Sequence, residues 1–300
     1  MHKIRNIIRG WTPSFLLNAF RRWKKQKRNR ALNTMRMKGD VITVAQITDV
    51  LRKQGLQTGD SVLVHCAMSK IGPLENGPKT LVDALLQVVG EQGHILMPTS
   101  PNPGLQLDYI RELDCFDVLN SPSRMGAVTE YFRTLPGVVR SLSPTEPVSA
   151  MGPDAEWFTS GHAHSETPYN TDSPFARLTQ RKGKILYLGV TLIQAGTSLH
   201  LLEDVVNDFP LPVYYPEKFP VKIRDKEGKI HQWFVRVHNP KVSAQRKCDG
   251  LFPLFVSKGV AHPFTLGQAE SWLFYADTML STMIEAYEKE GVTMYQPEGI

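Results

Sequence analysis

Hydrophobic positions along the chain follow two different spacings, and their succession predicts alternating helices and strands. Val44, Ile47, Val50 and Leu51 share one helical face, and Gly55 ends that segment. The next segment, DSVLVHCA, is short and nearly all apolar, which is typical of a buried strand. The same pattern predicts helices in GPKTLVDALLQVVGE, SRMGAVTEYFRTL and TSLHLLEDVV, the last capped by Thr197 or Ser198, and strands in HILMPT and GKILYLGV.

Strands that alternate with helices indicate an α/β fold with a mostly parallel or mixed central sheet. After Phe209 the pattern changes, and FPVKIRDKEGKIHQWFVRVH predicts an inserted β-hairpin that turns at Lys226, Glu227 and Gly228. The stretch LGQAESWLFYADTMLSTMIEAYEKE is predicted to be the final helix. Because no repeat or low-complexity linker interrupts residues 39–300, they are predicted to form one domain.

Composition and charge change this picture mainly at the N-terminus. Twelve of the 35 Lys and Arg residues, but none of the 29 Asp and Glu residues, fall within residues 1–38. The net charge of +6 therefore comes from a basic extension on an acidic body, a distribution that does not suggest a nucleic-acid-binding domain. The three cysteines form no CxxC pair, so neither a disulfide framework nor a zinc knuckle is predicted, and a reducing, cytoplasmic compartment is expected.

Residues 1–38 interleave aromatic and basic side chains, as in IRGWTPSFLLNAFRRWKKQKRNR. A helix of this kind is expected to contact an anionic membrane surface with its apolar side. The alternatives are a solvated extension and an arm that packs on a neighbouring subunit. No apolar run approaches the roughly 18 residues that cross a bilayer, and no secretory signal is evident.

The segment TSLHLLEDVV holds His200 and Glu203 three positions apart, on one face of a helix. An imidazole can take a proton from an attacking amine, and a carboxylate can orient the ring and stabilise its charged form. The alternative is a structural pair of polar residues. No metal site is predicted, because no third ligand stands out.

The loop between the first predicted strand and the next helix carries Ser69, Gly72 and Gly77, and the helix begins at Lys79 or Thr80. Free backbone N–H groups at a helix start, approached through glycine, are suited to a phosphate group. The loop matches neither GxGxxG nor GxxxxGK[ST], so an ordinary strand-to-helix loop is the alternative.

Other candidates are weaker. His65 is predicted either beside a cofactor or as a buried structural histidine, and His162 and His164 are candidates for the lining of an acceptor site. Cys66 is not predicted to be a nucleophile, because its neighbour His65 points to the other side of a strand.

The motifs MPT, PSRMGA, LPGVVRS, DSPFARL and LHLLE, in this order, resemble the aminoglycoside 3-N-acetyltransferase family over most of the chain from Val44. The resemblance implies a three-layer α/β/α fold that differs from the common N-acetyltransferase fold. It also implies direct transfer of an acetyl group from acetyl-coenzyme A to an amino group of a sugar ring, without a metal or a covalent enzyme intermediate. The implied coenzyme A-binding residues are Ser69, Lys70, Gly72, Gly77, Thr80, Ser123 and Met125.

One departure from the family pattern concerns the histidine usually assigned as the base. The matching stretch here is RSLSPTEPVSAMG, with Ser143 at the histidine position and Pro147 in place of a serine. His200 and Glu203 match the family's LHxxE and are the predicted catalytic pair. Glu146 is a candidate replacement base, provided that burial raises the pKa of its carboxyl group.

The sequence therefore predicts an acetyl-coenzyme A-dependent N-acetyltransferase acting on an amino sugar, in surface-polysaccharide biosynthesis rather than in antibiotic resistance. A binding or assembly subunit that has lost turnover is one alternative, and an acyl-coenzyme A hydrolase is another. The predicted partner is the amino sugar, with no nucleic acid and with membrane contact through residues 1–38. The pattern leaves the oligomeric state open.

Overall fold

A seven-stranded mixed sheet organises the computed structural model, which describes residues 14–102 and 104–299. Its strand order is β4-β5-β2-β1-β6-β10-β9. β1 pairs in parallel with β2 and β6, and the strands outside these three pair antiparallel. The strands are β1 (Ser61–Cys66), β2 (His94–Pro98), β3 (Phe116–Asp117), β4 (Val139–Arg140), β5 (Val148–Met151), β6 (Lys184–Leu188), β7 (Phe219–Arg224), β8 (Ile230–Val235), β9 (Ala261–Leu266) and β10 (Ala269–Tyr275).

Helices cover both faces of this sheet, which explains why β1, β2 and β6 read as continuous apolar runs. The described helices are α1 (Ser14–Met37), α2 (Val44–Lys53), α3 (Met68–Ile71), α4 (Pro78–Val89), α5 (Gln106–Glu112), α6 (Ala127–Arg133), α7 (Ala155–Ser160), α8 (Pro174–Gln180), α9 (Leu192–Ala195), α10 (Leu201–Val205), α11 (Pro240–Ser243), α12 (Phe252–Ser257) and α13 (Ala276–Glu290).

Two apolar cores fill the spaces between the layers. In one, Ile47 of α2 and Leu85 of α4 pack with Val62 of β1. In the other, Phe175 of α8 and Met279 of α13 are buried on the opposite face of the sheet. The predicted fold class, a mixed α/β sheet between helical layers, is confirmed.

The predicted hairpin is also present. β7 and β8 pair antiparallel from Phe219–Val235 to Arg224–Ile230, and Asp225 accepts hydrogen bonds across the turn. β3 adds to β7, so that the insertion forms a separate three-stranded sheet. The segment after β8 returns towards the main body and carries His238.

The prediction of one long final helix is wrong in its first half. Residues 269–275 form β10, which pairs with β6 and with the unpredicted strand β9. β9 and β10 are joined by a turn at Gly267, where an added Cβ would lie 2.2 Å from the carbonyl oxygen of Ile71. Pairing with β6 outweighs the local helical pattern, and the helix itself begins at Ala276.

Two other predicted helices differ from the structure. The helix in SRMGAVTEYFRTL begins only at Ala127, because Gly126 has a φ of +129° that no helix can contain. The segment TSLHLLEDVV is a 3₁₀ turn, Thr197–His200, followed by the short helix α10. No cap hydrogen bond from Thr197 or Ser198 starts this segment, which contradicts the predicted capping.

The basic helix α1 lies at the edge of the molecule. It contacts the body through its second half, where Arg36 donates a hydrogen bond to the carbonyl oxygen of Leu74. Within the described residues, no helix combines the length and the apolar character that a bilayer span requires.

Candidate active site

A cavity of about 200 Å³ opens at the carboxyl ends of β2 and β6. Strand ends of this kind are the usual location of ligand sites in α/β sheets. Segments that are far apart in the sequence meet here, including the loop after β6 and the segment after β8. The lining includes Ser100, Gln106, Met125, Glu146, Tyr169, Thr197, His200, His238 and Arg246.

His200 lines this cavity, and its predicted contact with Glu203 is present, although Glu203 is buried and lies outside the lining. His200 Nδ1 lies 2.8 Å from Glu203 Oε2, and His238 Nε2 lies 3.2 Å from the same oxygen. The other oxygen, Glu203 Oε1, accepts a hydrogen bond of 2.7 Å from the hydroxyl of Tyr295. Both oxygens of the buried carboxylate are therefore held by protein donors, as burial of a charged group requires.

Burial lowers the pKa of His200 to about 3, so that the free imidazole is neutral. Burial alone would raise the pKa of Glu203, but the attraction to His200 and the hydrogen bonds from His200 and His238 outweigh it and lower that pKa. An ionised Glu203 accepts from Nδ1–H, which leaves Nε2 of His200 as the basic nitrogen. No described residue forms a hydrogen bond with Nε2, and His200 lines the cavity.

Aromatic rings hold the two imidazoles in place. Tyr169 stacks on His200 with ring centroids 4.7 Å apart, and it also lies 5.6 Å from the ring of His238. Tyr214 lies parallel to the His238 ring at 5.3 Å and donates a hydrogen bond of 2.6 Å to Asp204. This packing restricts both rings to one orientation.

The ligand atoms of His200, Glu203 and His238 all lie within 4.8 Å of one another, a spacing that a metal ion can use. His238 is thus the third candidate ligand that the sequence did not reveal. In the structure both imidazoles form hydrogen bonds with the same oxygen of Glu203, and these hydrogen bonds account for the positions of the three side chains.

Glu146 lines the same cavity and is half-buried. Burial raises the pKa of its carboxyl group, although a hydrogen bond of 2.7 Å from Gln106 Nε2 acts in the opposite direction. The other end of the Gln106 amide accepts from the backbone N–H of His238 at 3.0 Å. Gln106 therefore links the carboxylate of Glu146 to the segment that carries the second imidazole.

Ser143, at the family's histidine position, does not line this cavity. Its hydroxyl accepts a hydrogen bond from the backbone N–H of Glu146 at 3.3 Å and borders a cavity of only about 10 Å³. His162 borders the same small cavity and is fully engaged, with Nδ1 2.8 Å from Ser141 Oγ and Nε2 2.9 Å from the carbonyl oxygen of Pro168. Neither His162 nor His164 is in the lining of the larger cavity.

His65 and Cys66 both belong to β1. His65 Nε2 lies 3.3 Å from the hydroxyl of Thr197, and its ring stacks on Tyr187 at 5.1 Å. Burial lowers the pKa of His65 to about 3 and raises that of Cys66 to about 12. Cys66 is therefore a thiol at neutral pH, which agrees with the prediction that it is not a nucleophile.

The predicted coenzyme A-binding residues are divided between two places. Met125 lines the cavity that contains His200, and its N–H donates to the hydroxyl of Ser123 at 3.3 Å. Ser69, Gly72 and Gly77 border a second cavity, of about 300 Å³, against helix α1.

Two further members of the predicted set are less accessible. Thr80 is buried, and its hydroxyl accepts from the backbone N–H of Asn76 at 2.8 Å. An added Cβ at Gly189 would lie 3.1 Å from Cβ of Lys70, so the stem of Lys70 packs against the end of β6.

Several residues of the site were missed from the sequence. His238 is not part of any short motif with His200. The one signal in the sequence is its position at the end of the predicted hairpin. Tyr295 lies 92 positions from Glu203, and Tyr169 lies 31 positions from His200, so neither tyrosine shows a local spacing to its partner in the sequence.

Comparison with known proteins agrees with the resemblance seen in the sequence. Residues 63–288 match the family model described as aminoglycoside 3-N-acetyltransferase. Aminoglycoside N(3)-acetyltransferase III from Salmonella sp is 34% identical over an alignment of 284 positions that covers 84% of this chain and 93% of the relative. Aminoglycoside N(3)-acetyltransferase VII from Streptomyces paromomycinus is 33% identical over an alignment of 179 positions that covers 55% of this chain and 62% of the relative, so the match spans less than two thirds of that protein.

Solved structures give the same result. AAC-IIIb in its binary complex with CoASH matches with a TM-score of 0.70 and 27% identity, covering 83% of this chain and 97% of the other. AAC-VIa bound to sisomicin matches with a TM-score of 0.69 and 28% identity, covering 83% and 98%. The predicted family is confirmed: this chain belongs to the aminoglycoside 3-N-acetyltransferase family.

Proposed function

We propose that the chain is an acetyl-coenzyme A-dependent N-acetyltransferase that modifies an amino group of an aminoglycoside or a related amino sugar. The observation that carries the proposal is the neutral His200, with Nδ1 bound to a buried carboxylate and Nε2 available to a ligand in the cavity. Transfer to an amine needs such a proton acceptor, because the nitrogen becomes cationic as it bonds to the acyl carbon and must then lose a proton.

The proposed chemistry is direct. The acceptor nitrogen, bound as a neutral amine, attacks the thioester carbonyl carbon, so that a C–N bond forms and the C–S bond breaks. As the new bond forms, the nitrogen becomes cationic and its proton becomes strongly acidic. Nε2 of His200 takes this proton, and the thiolate of coenzyme A leaves and is protonated by the imidazolium or by solvent.

Glu203 supplies the compensating charge for this step. The imidazolium formed on His200 lies 2.8 Å from an ionised carboxylate in a site with little water, where the attraction between opposite charges is strong. His238 and Tyr295 hold that carboxylate from two other directions, so it does not rotate away from His200. They are positioning residues in this proposal.

Glu146 remains the alternative base, and its surroundings also suit the binding of a cationic acceptor. The two roles make different predictions for Glu146→Gln. Loss of a base lowers kcat, whereas loss of an ammonium-binding carboxylate raises KM and leaves kcat nearly unchanged.

Coenzyme A is proposed as the co-substrate. The binary complex of the relative AAC-IIIb with CoASH supports this choice. The proposed contacts are those predicted from the sequence, at Ser69, Lys70, Gly72, Gly77 and Thr80. Ser123 and Met125 complete the set beside the catalytic cavity.

The acceptor is proposed to be polycationic. The relatives' names refer to aminoglycosides, and one solved relative holds sisomicin. The excess of Asp and Glu outside residues 1–38 favours a cationic acceptor by electrostatic attraction. A role in surface-polysaccharide biosynthesis gains no support from these relatives and stays a hypothesis.

Contact with the inner face of an anionic membrane is a further part of the hypothesis. Trp23 is 53% exposed on α1, a helix without Asp or Glu, and Lys27 lies 5.5 Å from its ring. Cosedimentation with anionic but not with neutral vesicles, weakened in Trp23→Ala, is the expected result. Equal binding to both vesicle types, or none, would contradict it.

The activity is tested by measuring thiol release from acetyl-coenzyme A with a panel of aminoglycosides and simpler amino sugars, with mass spectrometry of the acceptor. Acceptor-dependent thiol release and a gain of one acetyl group are expected. Thiol release without an acceptor would identify a hydrolase instead. Binding of coenzyme A without release for any acceptor would favour the binding-subunit alternative.

A further inference from the structure

A second cavity, of about 300 Å³, lies between helix α1 and the loop that leads from β1 to α4. The loop side is formed by Ser69, Gly72 and Gly77, and the helix side by Asn29, Asn33 and Arg36. The matched family model begins at residue 63, so α1 lies outside the matched region. The helix therefore adds a wall to this loop that the family match does not describe.

The face of α1 that meets the loop is cationic. Arg28, Leu32 and Arg36 follow one another at intervals of four residues and thus share one face. Leu32 is half-buried, Arg28 Nη1 donates to the hydroxyl of Ser69 at 3.0 Å, and Arg36 Nη2 donates to the carbonyl oxygen of Leu74 at 3.1 Å. The guanidinium groups of Arg28 and Arg36 are therefore held against the loop, each about one helical turn from the half-buried Leu32.

The loop leaves its backbone open on the same side. Gly77 has a φ of +60°, and nothing lies within 4 Å of the position a Cβ would occupy. Gly72 is the point of close approach, where an added Cβ would lie 3.2 Å from Ile42 Cδ1 and 4.0 Å from Met35 Cε of α1. Arginine forks beside an open glycine backbone suit the oxygens of a phosphate group.

This cavity is close to the catalytic one. Ser69 follows His65 by four residues, so their Cα atoms are at most about 14 Å apart, and His65 contacts Thr197 in the catalytic lining. A ligand that occupies both places must be long, anionic at one end and reactive at the other.

We infer that Arg28 and Arg36 of helix α1 bind the phosphate groups at the adenosine end of coenzyme A. The inference rests on the proposed function, since it takes acetyl-coenzyme A as the co-substrate. It assigns to the basic extension a part in holding the acyl donor. In this arrangement the thioester end extends past β1 towards His200.

The test compares the double variant Arg28→Ala/Arg36→Ala with the matched control Arg22→Ala/Arg30→Ala. All four arginines are exposed, but only Arg28 and Arg36 donate hydrogen bonds to the loop, so the control removes the same charge from the same helix without removing a loop contact. The Kd for coenzyme A is measured by calorimetry, and steady-state kinetics are measured with acetyl-coenzyme A and with S-acetyl-pantetheine, which lacks the adenosine and its phosphates.

We expect the double variant to raise the Kd for coenzyme A about 10-fold or more, the scale of losing charge-assisted hydrogen bonds. The control is expected to change Kd less than about threefold, because Arg22 and Arg30 make no contact with the loop and act on the ligand only through long-range attraction that salt screens. Turnover of S-acetyl-pantetheine should be unchanged in the double variant, whereas a general disturbance of the loop would reduce it as well.

A Kd within about threefold of the wild type in the double variant, or an equal loss in the control, overturns the inference. An equal loss with S-acetyl-pantetheine does the same, since that donor has no phosphate to bind. If the wild-type protein binds coenzyme A and any of these contrary results is obtained, the role of α1 is excluded but the proposed function is not. If the wild-type protein does not bind coenzyme A, both the role of α1 and the proposed function are excluded.

Discussion

His200 and His162 are both buried histidines in the described part of the chain, yet only His200 has a ring nitrogen that forms no hydrogen bond with a described residue. Burial lowers the pKa of both, to about 3 for His200 and about 4 for His162. His162 uses its two ring nitrogens within the protein, on Ser141 and on the carbonyl oxygen of Pro168. His200 uses Nδ1 on Glu203, whereas its Nε2 is bonded to no described residue and its ring lines a cavity of about 200 Å³.

The difference shows that a shifted pKa by itself does not identify a catalytic histidine. What distinguishes His200 is one unoccupied nitrogen next to space for a ligand, together with a buried carboxylate behind the ring. His162 has the same burial and no such space, since the cavity beside it measures about 10 Å³. Each prediction below tests one side of this contrast.

The largest effect is expected for His200→Ala. Removing the proton acceptor should lower kcat by about 100-fold or more, because that is the usual contribution of a positioned acid–base group. Thiol release is measured at saturating acetyl-coenzyme A, and thermal unfolding serves as the folding control. Activity close to that of the wild type in a folded variant would exclude His200 as the base.

Glu203→Gln should have the next largest effect. The amide keeps the shape of the side chain but removes the charge that stabilises the imidazolium, which should lower kcat about 10- to 100-fold. KM for both substrates should change little. A loss confined to KM would show that Glu203 acts in binding rather than through His200.

His162→Ala is the structural counterpart of these variants. Two hydrogen bonds disappear and a cavity forms, while the Ser141 hydroxyl keeps only the hydrogen bond that it accepts from the Val148 N–H, so the free energy of unfolding should fall by about 3 kcal/mol. The activity per folded molecule, measured below the unfolding temperature, should remain near that of the wild type. A selective loss of kcat would break the contrast between the two histidines.

Ser143→His tests whether the family's histidine can simply be restored. The side chain at this position is buried beside a cavity of about 10 Å³, which is too small for an imidazole. We expect a loss of about 1–3 kcal/mol in the free energy of unfolding and no gain in aminoglycoside acetylation. A faster rate with unchanged stability would show that the loop opens towards the acceptor.

Acid should destabilise the protein gradually. Between pH 6.5 and about 4, the unfolded chain binds protons at His65, His162 and His200 that the folded protein does not bind, since burial lowers all three pKa values. Stability is therefore fully present above pH 6.5 and falls as the pH falls, by about 1.4 kcal/mol per pH unit for each such proton. Urea unfolding at pH 7, 6 and 5 measures this slope, and His162→Ala should make it shallower.

Much of the fold could be predicted from local patterns. The buried strands β1, β2 and β6 and the helices α2 and α4 have apolar runs whose length and spacing match their environment. The local pattern of β10 predicts helix, but its conformation depends on pairing with residues of β6 that lie 83 to 91 positions earlier in the chain. Local propensity does not contain that pairing.

The site was predictable only where it is local. His200 and Glu203 are three residues apart, so their contact follows from the helical pitch, although the segment is a 3₁₀ turn joined to a short helix rather than one helix. His238 and Tyr295 reach Glu203 across 35 and 92 positions. Their convergence depends on how the hairpin and the C-terminal segment pack on the sheet.

The sequence by itself determined the α/β alternation, the family, the basic extension and the pairing of an imidazole with a carboxylate. Each of these features depends on residues that are close together in the chain. Only the tertiary structure decided that His200 lines a cavity while its Nδ1 is bonded to Glu203, that Ser143 lies outside this cavity, and that α1 covers the loop after β1. These features are contacts between distant segments, and their geometry is set by packing and burial rather than by spacing along the chain.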